Sequence, residues 1–440
     1  MSKILFVVTA FAPKNVIGSI RPSKIAKYLI RQGHQVTVLM PPVPENEPQD
    51  PLLKGGEMDQ VDRVLVSYGS AYGKIRQRYK DSKAAVPAMQ TPQGKGFKLF
   101  LRFAYTTLSD MLWANRAKSV LKQRFKKDGF DAVISSYPNV ATHWVAAYAR
   151  KNGLAKRWVA DFRDPMVYEW QPGFQRLINR FLQRRVEKRA DAVTVVAGDI
   201  MQKFPLADER GVLHWVSNGF DPSDLSALDD KPKTSLSFAG EKDQLIFAYA
   251  GGLYGGKRDL SALFSALGAL IQKGVFKKED LVFRFAGSDL EILRGFARPF
   301  GLEDIIVSLG RVDRQTALFM QQSSDILVIC SHNTKQDQGI LTGKAFETLM
   351  LSRPVLTLIN GDLSGSELGR MMETVKAGFV YEEADHDADF PALYGWLHER
   401  YLEKQSSGHV KSTLIEEEKQ QYSYERIAEK MLRTAGGEKP

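Results

Sequence analysis

Short continuous apolar runs alternate along this chain with longer stretches in which apolar residues recur every three or four positions. That is the pattern of covered parallel strands separated by amphipathic helices. Residues 3–9 (KILFVVT) read as a first strand. The loop AFAPKNVIGS, a helix from Arg21 to Arg31 stopped by Gly33, and the strand QVTVLM complete a βαβ unit. VDRVLVSY, DAVISS, Arg157 to Asp161 and DAVTVVA continue as strands, with helices over Asn139 to Lys151 and Phe174 to Ala190. After a stretch rich in Asp, Ser, Lys and Pro, the alternation restarts at LIFAYAG and runs through DLVFRFAG, DIIVSLGRV and DILVIC. Residues 336–359 (QDQGILTGKAFETLMLSRPVLTLI) then read as a Gly-containing loop, a helix closed by Pro354 and a buried strand. A helix from Asp362 to Met372 and the strand AGFVY follow. The expected fold class is α/β, with two Rossmann-like doubly wound parallel-sheet domains facing a cleft. The first is expected over 1–220 and the second over 244–415, with a linker at 221–243 and a terminal amphipathic helix within 416–440.

Open α/β sheets bind ligands beyond the carboxyl ends of their strands. The run Gly339, Ile340, Leu341, Thr342, Gly343 lies at such an end and opens a helix, so free backbone N–H groups and the positive end of the helix dipole are offered to phosphate. Lys344 and Glu347, three apart, share a helix face, one suited to a diphosphate and the other to ribose hydroxyls. An ordinary amphipathic helix with a surface ion pair fits the same spacing. In AGGLYGGKRD, the Gly252 turn is followed by Lys257 and Arg258, two cations able to neutralise a diphosphate, or a hinge turn with solvated cations. Gly18 and Arg21 sit at the mouth of the first sheet, and Gly287 ends a strand of the second. In DFRDP, Asp161 and Asp164 flank Arg163 at a strand end, where they can orient a hydroxyl or assist proton transfer, or close a structural ion-pair turn.

Composition and charge narrow the classes. With 440 residues, 43% of them hydrophobic, the chain can bury full cores. Its net charge of +10 is unevenly spread: residues 1–220 carry 35 Lys and Arg against 18 Asp and Glu, leaving the remainder acidic. A basic half suits nucleic acid, an anionic membrane surface or a phosphate-bearing substrate. Phe97 to Trp113 mixes Phe, Leu and Tyr with Lys98 and Arg102, and Arg176, Arg180 and Arg184 form a stripe. Both suit an anionic bilayer; the first equally fits a helix packed on its domain, and the stripe a pyrophosphate or a solvated face. No nucleic-acid motif accompanies them, so no nucleic acid is expected. The N-terminal apolar run is too short to span a membrane and lacks a cleavage site, and one cysteine, Cys330, cannot form an internal disulfide; a cytoplasmic chain, peripheral on the membrane at most, is expected. EEADHDAD lacks calcium-loop spacing and no Cys/His set has zinc spacing, so no metal is expected. No G-x-G-x-x-G follows the first strand, so no dinucleotide cofactor is expected.

The Lys344–Glu347 run leading into a Pro-Val strand resembles the nucleotide-sugar signature of family 4-like glycosyltransferases of the GT-B fold, and DFRDP resembles a run in a subset of them. The resemblance covers nearly the whole chain, although only four short motifs carry it. It implies a retaining transferase that moves a sugar from a nucleotide-diphosphate sugar to a glycan or lipid-linked acceptor in cell-surface polysaccharide synthesis, with no cofactor. It further implies that Lys257, Asn218, Gly219 and Arg311 lie near the donor, and that the terminal helix crosses back to the first domain. Gly339 stands where most members place a glutamate against the donor sugar, and Asp337 is the candidate substitute. Gly252 replaces an arginine whose charge Arg258 would supply. A nonhydrolysing sugar-nucleotide epimerase and a non-catalytic nucleotide- or glycan-binding protein are the alternatives. The donor base, the sugar and the acceptor are not written in the sequence.

Overall fold

Each half of the chain buries its apolar runs as the central strands of a parallel sheet. The computed structural model describes residues 1–69, 96–226 and 244–438. Met1–Asn218 and the segment from Tyr424 onward form one compact unit, and Gly219–Ser423 the other. Residues 227–243 of the expected linker, and residues 70–95, lie outside the described residues.

The first unit holds seven parallel strands: β1 (Lys3–Val7), β2 (Gln35–Met40), β3 (Asp62–Leu65), β4 (Phe130–Tyr137), β5 (Ala155–Phe162), β6 (Ala192–Val195) and β7 (Leu213–Trp215). Their order is β3-β2-β1-β4-β5-β6-β7. Ile4 pairs with Val36 on one side and Ala132 on the other, so β1 is hydrogen-bonded along both edges, and the order reverses between β1 and β4. Helices α1 (Ile17–Arg31) and α3 (Val140–Lys151) pack on this sheet, and α2 (Gly96–Arg124) and α4 (Gly173–Arg189) pack against α3. Ile427, Ala428 and Met431 of the terminal helix Tyr424–Gly436 join the same core as Ile4, Phe6 and Ile25.

Helix α1 begins four residues before the expected Arg21. Pro22 lies inside it and has no N–H to give to the carbonyl of Gly18. Arg163 makes up that bond, donating from its Nη1 to the Gly18 oxygen at 2.8 Å. A Cβ at Gly18 would lie 2.9 Å from that nitrogen, so glycine is what admits the guanidinium. The extra helical turn is therefore held by a side chain 145 residues away.

The second unit holds six parallel strands: β8 (Leu245–Ala250), β9 (Leu281–Ala286), β10 (Ile306–Gly310), β11 (Ile326–His332), β12 (Val355–Asn360) and β13 (Gly378–Glu382), in the order β10-β9-β8-β11-β12-β13. Its order reverses between β8 and β11. Its main helices are α5 (Ser261–Gln272), α6 (Leu290–Ala297), α7 (Arg314–Gln322), α8 (Gly343–Leu351), α9 (Glu367–Thr374) and α10 (His386–Ser407). Helix α9 starts at Glu367 rather than Asp362, because the Ser366 hydroxyl accepts from the Gly369 N–H at 3.0 Å and caps it there. The acidic run EEADHDAD leads into α10. Asp387 and Asp389 occupy its first turn, where the helix dipole favours negative charge.

Candidate functional site

In the second unit the reversal point between β8 and β11 gathers positive charge. Beyond β8 the backbone passes through Gly251 at φ 148°, a conformation that a side chain rarely adopts. A Cβ there would fall 1.5 Å from the Nζ of Lys344. The ammonium therefore occupies the space that glycine vacates. It lies 5.9 Å from the Tyr249 ring centre and has no hydrogen bond or ion pair among the described residues. Burial and the nearby Arg258 charge pull its pKa down to about 8, with Glu347 opposing. Tyr249, Arg258, Thr342 and Lys344 line one small cavity with Gln321 and Thr348. Thr342 precedes α8 in an extended conformation without capping it, and its buried Oγ1 has no hydrogen-bond partner among the described residues. A cation, an open helix N-terminus and an unpartnered hydroxyl thus meet at one place, all suited to a phosphate.

The turn that carries Arg258 is pinned from both sides. The Leu253 N–H donates to Asp289 Oδ2 at 2.6 Å, and the Asp259 N–H donates to Asn360 Oδ1 at 2.9 Å. Arg258 reaches the Gly252 carbonyl at 3.4 Å and lies over the Tyr254 ring at 4.3 Å. Lys257, the next residue back, is exposed. Gly287 is required by proximity, since a Cβ on it would lie 2.3 Å from the Gly251 carbonyl. Cys330 is buried beneath, its thiol pushed up by burial and donating to Asn360 Oδ1 at 3.0 Å, so it is a packing group.

Glu347 does not pair with Lys344. Its Oε1 accepts from Arg314 Nε at 2.7 Å, and Arg314 Nη2 donates to Asp224 at 3.0 Å. The surface pair between Lys344 and Glu347 that the spacing allowed is thus corrected. The arginine takes one carboxylate oxygen and leaves Lys344 without a counter-ion. Asp337 Oδ2 lies 3.2 Å from His332 Nε2, at the end of β11. Gly339 has a φ of 72°, the Ile340 carbonyl faces the Ser331 hydroxyl at 3.5 Å, and Leu341 is buried. Leu341 is therefore an apolar anchor for the loop rather than a ligand contact, and Gly343 is the first residue of α8. Arg311 is exposed just beyond β10. Tyr249, Asp289, Arg314 and Asn360 were not singled out by the sequence. Arg314 sits beside the helix-capping Asp313, and that local signature says nothing about Glu347.

The first unit assigns the DFRDP residues different tasks. Asp161 is 3% exposed, and all its oxygen sites are engaged: Arg21 donates at 2.9 and 3.2 Å, the Thr194 hydroxyl at 2.8 Å and the Ser136 hydroxyl at 3.1 Å. Burial alone would raise this carboxyl, but Arg21, the Thr194 hydroxyl and Arg163 together hold it below its ordinary value. Arg21 is 2% exposed and also donates to the carbonyls of Val216 and Ser217. Asp161 as a catalytic group and Arg21 as a donor contact are therefore corrected. The pair is a buried clasp: four hydrogen bonds fill the Asp161 carboxylate, and four of the five Arg21 N–H groups are spent on Asp161 and on backbone carbonyls.

Arg163 bridges the Tyr137 and Gly18 carbonyls, both at 2.8 Å, and so ties β4 and α1 to the end of β5. Asp164 alone of the three is exposed. Burial pushes its carboxyl above the ordinary value, with the Arg163 charge opposing. Asn218 is half-buried at the last position of the first stretch of this unit. His143 is fully buried against the Ser135 hydroxyl at 2.8 Å, with burial pulling its pKa down to about 3, so it stays neutral.

Residues 20–208 match the model of the glycosyl transferase 4-like domain. Among solved structures the chain resembles alpha,alpha-trehalose 6-phosphate synthase from Burkholderia multivorans, at 12% identity and a TM-score of 0.62, covering 99% of this chain and 98% of that one. It resembles sucrose-phosphate synthase from Thermosynechococcus elongatus at 14% identity and a TM-score of 0.59, covering 98% of both chains. WaaG, a glycosyltransferase involved in lipopolysaccharide biosynthesis, matches at 11% identity and a TM-score of 0.51 over 99% of this chain and 100% of that one. At these identities the likeness concerns the fold, two Rossmann-like units of the GT-B kind. No curated protein matches the chain in sequence.

Proposed function

We propose, from the premise that residues 20–208 are a glycosyl transferase 4-like domain, that the protein transfers a sugar from a nucleotide-diphosphate sugar to a glycan or lipid-linked acceptor with retention of configuration. The carrying observation is Lys344, an ammonium without a counter-ion, set against the bare Gly251 at a helix N-terminus beside Arg258. Such a group is unfavourable until an anion arrives. The departing diphosphate supplies that anion. Lys344, Arg258 and the first N–H groups of α8 stabilise the charge that grows on it as the anomeric carbon–oxygen bond breaks. The acceptor oxygen takes the anomeric carbon, and its proton passes to the departing phosphate oxygen. Glu347, with one oxygen fixed by Arg314, presents the other to ribose hydroxyls. Asp164 orients the acceptor hydroxyl, on a loop that Arg163 holds in place. Lys257, Arg311 and Asp337 complete the donor side.

These charges do the electrostatic work a divalent cation would otherwise do, so transfer is expected to persist in chelator. A glycan or lipid-linked acceptor draws support from the fold shared with WaaG, a glycosyltransferase involved in lipopolysaccharide biosynthesis. The test is a thermal-shift screen of UDP, GDP, ADP and dTDP, followed by transfer from the matching labelled sugar nucleotide. Stabilisation by one diphosphate that is lost in Lys344→Met supports the reading. Conversion of the sugar nucleotide without any acceptor would replace it with an epimerase, for which the His332–Asp337 pair offers an acid and a base. Binding without turnover would leave a nucleotide-binding protein.

A further inference from the structure

The first unit exposes an apolar face on each of two touching helices. On α2 the exposed residues Phe100, Leu101, Leu108, Met111 and Leu112 fall within about 120° of the helix circumference. The buried residues Trp113, Ala117 and Leu121 occupy the opposite side. On α4 the exposed Leu177, Ile178 and Phe181 lie opposite the buried Asn179, Gln183 and Val186. The two helices meet at Phe174, whose ring packs edge-on against Phe100 at 5.4 Å and Phe103 at 5.8 Å. Trp170, 55% exposed and stacked on Tyr168, stands just before α4. Monomeric soluble proteins rarely leave such a continuous apolar surface open.

The charges that continue the two helical faces are of one sign, and the exposed Glu169 carboxylate beside Trp170 is paired with Arg176 at 2.9 Å. Arg184, Arg185 and Lys188 continue the face of α4 beyond its apolar turns, with Arg180 beside them and Arg102 on α2. Arg185 lies over the Phe181 ring at 5.5 Å. None of these five has an acidic partner among the described residues, and the helices' own carboxylates are occupied elsewhere. Asp110 accepts from Asn139, and Glu187 is buried, accepting from the Leu206 and Ala207 N–H groups.

We propose that this two-helix face docks on an anionic bilayer, with Leu101, Leu108, Leu177 and Phe181 in the headgroup region and the arginines on lipid phosphates. A second copy of the chain would bring like charges together, and nucleic acid would leave the leucines unmatched. No helix among the described residues is long and apolar enough to cross a membrane, so the contact is superficial. The inference stands on the surface alone and does not need the transfer reaction.

The test is flotation of the full-length protein with vesicles of phosphatidylcholine containing about one part in three phosphatidylglycerol, and with phosphatidylcholine alone. The wild type is expected to float with the anionic vesicles only, and less so as salt rises. Arg184→Ser and Arg185→Ser should each lower the partition about fivefold. The double variant L177D/F181D should lower it at least about tenfold, even at low salt. Folding of each variant is checked by its thermal transition and nucleotide-induced shift, which this face does not contribute to. A wild type that stays at the bottom of the gradient overturns the proposal. So do variants that float as it does, and so does a wild-type dimer that L177D/F181D dissociates.

Discussion

Replacing Lys344 with methionine should make the nucleotide-free protein more stable while weakening its nucleotide affinity. The ammonium has an ordinary pKa of 10.5 and is pulled to about 8 by burial and by Arg258. A displacement of that size corresponds to roughly 3 kcal/mol spent keeping the charge in the folded, empty site. Because the folded pKa is the lower one, the unfolded chain binds more protons between about pH 8 and pH 10.5. Stability contributed by this group therefore rises with pH across that window, and the full penalty is present below it. Methionine removes the penalty at neutral pH and retains most of the packing, so the thermal transition of the second unit should rise by several degrees. Binding should respond in the opposite sense. An anionic diphosphate needs the ammonium, so affinity should be flat below about pH 8 and fall roughly tenfold per pH unit above it. In the methionine variant affinity near neutral pH should drop about tenfold to a hundredfold, and the pH dependence should vanish. Calorimetric titration of the diphosphate from about pH 7 to about pH 10, with melting of both proteins in its absence, measures all of this. A variant that melts lower than wild type and binds with unchanged affinity and pH profile would refute the argument.

Gly251→Ala should be far more damaging than an ordinary glycine substitution. Its Cβ falls 1.5 Å from Lys344 Nζ at a φ of 148°, so a loss of about 1–3 kcal/mol and a large loss of diphosphate affinity are expected in chemical unfolding and titration. Asp161→Asn should lower stability by about 3–5 kcal/mol, because it strands the buried Arg21, and the remaining folded fraction should keep its turnover number. A selective loss of turnover in folded protein would return Asp161 to the chemistry. Since the folded-state pKa of Asp161 lies below its ordinary value, the clasp's stability is present above that ordinary value and is lost as pH falls through the folded one, which acid melts would read. Glu347→Gln should raise the donor KM about tenfold with little effect on acceptor KM, and steady-state kinetics would show whether the loss is confined to the donor.

The partition of the chain into strands and helices was readable wherever burial is continuous. β1, β4, β8 and β11 are covered on both faces, so their apolar runs needed no partner to be recognised. The ends of elements were less readable, because they are set by contacts from elsewhere. Helix α1 gains a turn from Arg163, and α9 starts where Ser366 caps it. The long helix α10 carries few buried residues for its length, and its periodicity did not stand out. Within the site, the glycines and cations of the two loops were visible as residue types. Their pairings were not. Glu347 meets Arg314 across 33 positions and Arg21 meets Asp161 across 140, and neither distance leaves a trace in local spacing.

The sequence by itself determined two doubly wound parallel sheets and the loops that could serve an anion, because strand burial, helix periodicity and glycine placement are local in the chain. Only the tertiary structure decided which charges remain available to a ligand. Arg21 and Asp161 neutralise one another inside the first sheet, while Arg314 draws Glu347 aside and leaves Lys344 without a counter-ion against Gly251. A charge is free or spent according to what lies within a few ångströms of it, and in this chain those neighbours come from distant segments.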